Sequence, residues 1–167
     1  MITTEWILGI NEGDLAEVRA IRRKVFCEEQ QIDETIEIDG LDPSAIHVLI
    51  SYNNVPAATG RLLVMAEPAE SEGFVIGRVA VLPQFRKKRL GDLAVRLLIR
   101  TAYNMGGQRQ WVHAQLPVVG FYEKLGFIPQ GEIYEEAGIP HITMMHEGDV
   151  YGNCDCITPL PAGEGGW

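Results

Sequence analysis

Residues 78–98 read RVAVLPQFRKKRLGDLAVRLL, and the period of the apolar residues changes in the middle of this stretch. Its first part closes an apolar run, Phe74–Leu82, rich in Val and Ile and stopped by Pro83, which reads as a strand. From Leu90 onward, Leu90, Leu93, Ala94, Leu97, Leu98 and Thr101 recur at helical spacing, and Gly106-Gly107 ends the pattern. The junction holds four consecutive cations: Arg86, Lys87, Lys88 and Arg89. Cations oppose the positive end of a helix dipole, whereas free N–H groups and positive charge together suit a phosphate. A solvated basic turn is the plainer alternative.

Working outward, Glu5–Ile10 reads as a first strand, and Asn11 or Asp14 can cap a helix from Glu12 to Gln30. Leu15, Val18, Ile21, Val25 and Phe26 give that helix its apolar face. Gln31–Ser44 is acidic and turn-rich and reads as a loop. His47–Tyr52 and Val55–Met65 are strands joined at Asn53-Asn54, a favourable hairpin pair. Gln110–Ala114 is a short strand, Val118–Leu125 a short helix, and Ile128–Tyr134 and Ile139–His146 are the last two strands. The expected class is α+β, one domain over 1–149 followed by a Gly/Pro-rich tail over 150–167.

The bulk numbers narrow the function. A chain of 167 residues supports one sizeable core. Its net charge of -9 argues against nucleic acid and anionic membrane as partners. The N-terminal stretch lacks the basic-then-apolar pattern of a signal peptide, and three cysteines (Cys27, Cys154, Cys156) are too few for a disulfide framework, so a cytoplasmic protein is expected. Cys27 reads as a small buried side chain, and Cys154, Cys156 and His146 do not make a convincing metal site; no metal is expected.

Val79-Ala80-Val81-x-Pro83-x-x-Arg86 before a helix resembles the acyl-CoA signature of the GNAT superfamily of N-acetyltransferases. The resemblance implies a mixed, mostly antiparallel sheet splayed near its centre with helices on both faces, acetyl-CoA as cosubstrate and a small-molecule amine as acceptor. Val79, Ala80 and Val81 would then line the pantetheine arm, and Arg86, Lys87, Lys88, Arg89, Leu90, Gly91 and Asp92 would wrap the pyrophosphate. The family's loop carries a glycine where this chain has Arg89; its later glycine is matched by Gly91. Val119-Gly120-Phe121-Tyr122-Glu123-Lys124-Leu125-Gly126-Phe127 resembles a second family segment, in which the tyrosine hydroxyl lies near the thioester sulfur. Tyr122 is therefore the candidate to assist thiolate departure; an aromatic packing role is the alternative. Segments around Val25–Gln30, Trp111–Gln115 and Glu135–Ile142 are similar to the ElaA-like branch, and members of the superfamily often form homodimers.

Acceptor chemistry stays open at this level. His141, in a Pro-His-Ile segment that resembles the one carrying a catalytic base in some relatives, is the favoured base, and His113 is a candidate to bind substrate or relay a proton. Glu28 and Glu29 could receive a cationic amine, whereas Arg22 and Arg78, with Lys24, could receive a carboxylate or phosphonate. Glu37, Asp39 and Asp42 are expected to shape the acceptor entrance. An acyl-homoserine-lactone-synthase-like enzyme, echoed by Arg22, Phe26, Asp39 and Asp42, and a non-catalytic acyl-CoA sensor are the competing readings.

Overall fold

The computed structural model describes residues 1–10, 12–65 and 73–150. Its strands are β1 (Ile2–Leu8), β2 (Ile46–Tyr52), β3 (Val55–Val64), β4 (Phe74–Val81), β5 (Arg109–Gln115), β6 (Ile128–Glu136) and β7 (Ile139–Glu147). They form one sheet in the order β1-β2-β3-β4-β5-β7-β6, with every neighbouring pair antiparallel except β4–β5. The helices are α1 (Ala16–Arg22), α2 (Glu34–Glu37), α3 (Leu90–Asn104) and α4 (Val119–Lys124).

Strand alternation sorts the core into two halves. Val48, Ile50, Leu62, Ile76, Val81 and Val112 face α3, whose Leu90, Ala94, Val95, Leu98 and Ile99 are fully buried. On the other face, Ile7, Leu49, Ala80 and Leu82 meet Leu15, Val18 and Ile21 of the first helical segment. The sheet is thus covered on both faces. Gly60 on β3 lets α3 approach closely, since a Cβ there would stand 2.8 Å from Leu98 Cδ1.

Two expectations change. The predicted helix over 12–30 is three pieces: a 3-10 turn Glu12–Leu15, α1, and a π-helix Arg23–Glu29. The apolar stripe is compatible with all three, so side-chain spacing alone does not reveal the widened turn. The segment expected as loop contains α2, capped by the Asp33 carboxylate accepting from the Thr35 N–H at 2.8 Å. The tail with Cys154 and Cys156, from residue 151 on, lies outside the described residues.

The sheet splits where β4 meets β5. Their ladder holds only Val75↔Trp111 and Ile76↔Val112, and beyond it the two strands diverge. β4 also carries a bulge against β3 between Thr59 and Arg61, at which Arg78 takes φ +50°. Splay and bulge open the sheet at the carboxyl end of β4.

Candidate active site

A cavity of about 500 Å³ fills that opening. Val75, Gly77, Arg78 and Val79 of β4 form one side, and His113, Ala114 and Gln115 of β5 the other. Phe26 of the π-helix, Gln30 at its C-cap, and Ile32, Ile36, Glu37 and Asp39 around α2 close it from one end. Phe121, Tyr122, Glu136, Ala137 and His141 complete the wall. The Gln115 amide donates to Gln30 Oε1 at 2.8 Å, tying β5 to the π-helix.

At the start of α3 the chain turns through left-handed backbone at Lys87 (φ +63°) and Arg89 (φ +60°). Arg89 is the N-cap residue and its side chain caps no N–H. The first intrahelical bond runs from Leu93 N–H to the Arg89 carbonyl at 3.0 Å, so the N–H groups of Leu90, Gly91 and Asp92 precede the ladder. These donors lie next to the four consecutive cations Arg86–Arg89, of which Arg86 is held by Glu29.

Tyr122 is buried between Phe121 and Phe127, with ring centroids 5.0 and 5.5 Å away. Burial pushes its hydroxyl well above the ordinary phenol range, so it stays protonated. His141 is buried on β7, and its Nδ1–H donates to the Ile139 carbonyl at 2.7 Å. A carbonyl can only accept, which leaves the Nε2 lone pair as the basic site. The Glu136 carboxylate lies 3.9 Å from that Nε2.

The family model for the Acetyltransferase (GNAT) family matches residues 15–127. The chain belongs to this GNAT family. It is 36% identical over 139 residues to protein YyaT of Bacillus subtilis (strain 168), covering 81% of this chain and 90% of the relative. Protein ElaA of Escherichia coli (strain K12) is 33% identical over 129 residues, 76% of this chain and 83% of ElaA. The crystal structure of Escherichia coli ElaA matches with a TM-score of 0.76 at 30% identity, covering 88% of this chain and 100% of that one. An acyl-CoA N-acyltransferase from Pseudomonas aeruginosa matches with a TM-score of 0.75 at 26% identity, covering 87% of this chain and 99% of that one. The GNAT fold and the ElaA-like resemblance read from the sequence both hold.

The residues singled out from the GNAT resemblance distribute unevenly. Val79, Arg78, His113, Tyr122 and His141 line the cavity. Ala80 and Val81 are fully buried and lie outside the cavity wall, and the Val81 carbonyl accepts from Arg86 Nε at 3.2 Å. Arg22 is a correction. It is fully buried, pairs with Glu37 at 2.5 Å and Asp42 at 2.7 Å, and presents nothing to an acceptor. Glu28 and Glu29 are also corrected as acceptor ligands: both are exposed and outside the cavity wall, and Glu29 grips Arg86 at 2.6 and 2.8 Å. Cys27 is half-buried, and its thiol is pushed up first by that burial, which disfavours a nucleophilic thiolate.

Two residues beside His141 were not singled out from the sequence. Tyr134 stacks on the His141 ring with centroids 6.0 Å apart, and its hydroxyl meets His113 Nδ1 at 2.7 Å. Glu136 is the other. The signal was available: with a two-residue turn at Ala137-Gly138, Tyr134 pairs with His141 and Glu136 with Ile139. Period-two alternation then places all four on one face.

Proposed function

We propose that this chain transfers the acetyl group of acetyl-CoA to a primary amine by direct attack in a ternary complex. The observation that carries this reading is that the buried Tyr122 and the Nε2-basic His141 line one cavity at the split between β4 and β5. The split also fits the donor. Beyond Ile76 the β5-facing side of β4 has no sheet partner, which suits a pantetheine arm, and the left-handed turn at Lys87 and Arg89 leads into the unladdered N–H groups of α3, which suit a pyrophosphate. The thioester supplies an activated acyl carbon; the protein supplies position and proton traffic.

His141 Nε2 takes the first proton from the bound ammonium, and the amine nitrogen then forms its bond to the acyl carbon as the carbon–sulfur bond breaks. The electron pair leaves on sulfur. The second proton lost by nitrogen ends on the sulfur as the thiol. Tyr122, held above a phenol's ordinary pKa of about 10, is a weaker acid than a thiol of about 8.5. Its hydroxyl therefore serves as a hydrogen-bond donor to the departing thiolate rather than as a full proton source.

Calorimetric titration with acetyl-CoA, followed by thiol-release assays on an amine panel, tests the reading. Tyr122→Phe is expected to keep donor affinity within about twofold and to lower kcat by about 10²-fold or more. His141→Ala is expected to lower kcat by about 10²-fold or more while leaving acetyl-CoA affinity unchanged. Donor binding without turnover on any amine would make the chain an acyl-CoA-binding module instead.

A further inference from the structure

The charges around the cavity differ in whether they are already matched. Arg19, Arg22, Arg61 and Arg78 converge beneath the α2 wall from α1, β3 and β4. Each meets a carboxylate. Arg19 pairs with Glu12 and Asp42, Arg22 with Glu37 and Asp42, and Arg61 with Asp39 at 2.7 Å and Asp42 at 2.9 Å. Arg78 reaches Asp39 at 3.2 Å and Glu37 at 3.3 Å, and donates to the Glu37 and Ile36 carbonyls. Four guanidinium groups thus face four carboxylates, and the network is neutral as a whole. Its work is to pin the segment from Glu34 to Asp42, which has little apolar anchorage, over the cavity.

Glu136 stands outside this network. Its carboxylate lies on the cavity wall, half-exposed, with His141 Nε2 at 3.9 Å as its neighbour. In the neutral ring whose Nδ1–H goes to the Ile139 carbonyl, Nε2 is an acceptor, so an ammonium between it and the Glu136 carboxylate would meet acceptors on both sides. A donor of positive charge fits there. The rest of the acceptor side is largely apolar, with Phe26, Ile32, Ile36, Leu63, Met65 and Val75 on it.

Resting on the acetyl-transfer reading above, we infer that the acceptor is a cationic primary amine on an apolar body, without a carboxylate next to the amine, and that Glu136 receives its ammonium group beside His141. Glu136 holds the ammonium by charge, and His141 takes the proton. An amino acid or phosphonate would bring its anion against Glu136 and would have to displace Asp39 or Glu37 from Arg78 to find a cation. Specificity then comes from repulsion as much as from attraction.

2-Phenylethylamine and phenylalanine, which differ by one carboxylate, are the probes. With the full chain and saturating acetyl-CoA, the KM for 2-phenylethylamine is expected about tenfold or more below that for phenylalanine. Glu136→Gln is expected to raise the KM for 2-phenylethylamine about fivefold, as loss of a partly exposed ion pair does, with acetyl-CoA affinity unchanged. Glu136→Asp should recover most of that loss, which a merely structural role would not predict. Equal or better use of phenylalanine, an unchanged KM in Glu136→Gln, or acetyl-CoA binding with neither amine acetylated would each overturn the inference. Failure to bind acetyl-CoA at all would instead overturn the acetyl-transfer reading beneath it.

Discussion

At the residue scale, Arg89 holds a backbone conformation that favours glycine. It sits at φ +60°, where the Cβ of an L-residue crowds the following carbonyl at a cost of about 1–2 kcal/mol. Its guanidinium meets Asp92 at 3.4 Å, and an ion pair on a partly exposed surface is worth about 0–1 kcal/mol. Arg89→Gly is therefore expected to raise unfolding free energy by about 0.5–1 kcal/mol, the relief being reduced by glycine's freedom in the unfolded chain. On the acetyl-transfer reading proposed above, the same substitution removes a cation from the phosphate site, and acetyl-CoA should then bind about three- to fivefold more weakly. Urea unfolding and calorimetry together check the opposed signs. A variant that gains stability without losing affinity would mean the arginine is not kept for the phosphate. Arg22 teaches the complementary lesson about reading charge from sequence. Its place in the chain suggests a surface residue on a helix, yet it is fully buried because Glu37 and Asp42, 15 and 20 residues away, fold back over it. Burial of an arginine is legible only once its partners' positions are known.

At the scale of elements, what could be read from the sequence was what depends on neighbours in the chain. The β2–β3 hairpin follows from Asn53-Asn54, whose φ values of +51° and +64° are those of a turn that asparagine tolerates. α3 follows from its stripe and its glycine stop. The π-helix over Arg23–Glu29 was hidden, because an apolar face tolerates a widened turn without changing residue type. The split between β4 and β5 was likewise implied only by resemblance, since no local pattern in either strand announces that pairing stops after two residues. The β6–β7 hairpin, which carries Glu136 and His141, allows a test of local turn chemistry. Ala137 and Gly138 take φ +52° and +74°. Glycine is at ease in such a turn and alanine is not. Ala137→Asn should stabilise the protein by about 0.5–1 kcal/mol without moving the register that sets Glu136 and His141. Thermal unfolding reads the gain; a loss of stability would show that the alanine methyl is needed at the cavity wall.

For the whole molecule, the question is how a chain of net charge -9 responds to acid. Lowering pH relieves general repulsion among acidic groups, which alone would stabilise the fold. At about 0.15 M salt that repulsion is screened beyond roughly 8 Å, so local effects decide. Two buried histidines oppose it. His47, set between Asp42, Arg22 and Arg61, and His146, set between Asp149 and Arg96, are both held below the ordinary histidine value, chiefly by burial. His146 also donates from Nδ1 to Gln110 Oε1 at 2.8 Å. The unfolded chain takes up protons at these sites near pH 6.5 while the folded chain does not, so stability falls as pH drops below that value. Each such histidine contributes at most about 1.4 kcal/mol per pH unit across the window between its two values. Asp42 adds a second, lower step. Burial favours its neutral form, but the hydrogen bonds and charges of Arg22 and Arg61 outweigh that and hold it far below the ordinary carboxylate range. Its contribution is complete above about pH 4 and is lost as pH falls further. Thermal unfolding from pH 8 to pH 3 should therefore show a first decline beginning near pH 6.5 and a steeper one below about pH 4. His146→Gln, which can still pair with Gln110, should flatten the first decline and leave the second. A stability that rises from pH 7 to pH 5 would mean that repulsion across the acidic surface outweighs the buried histidines after all.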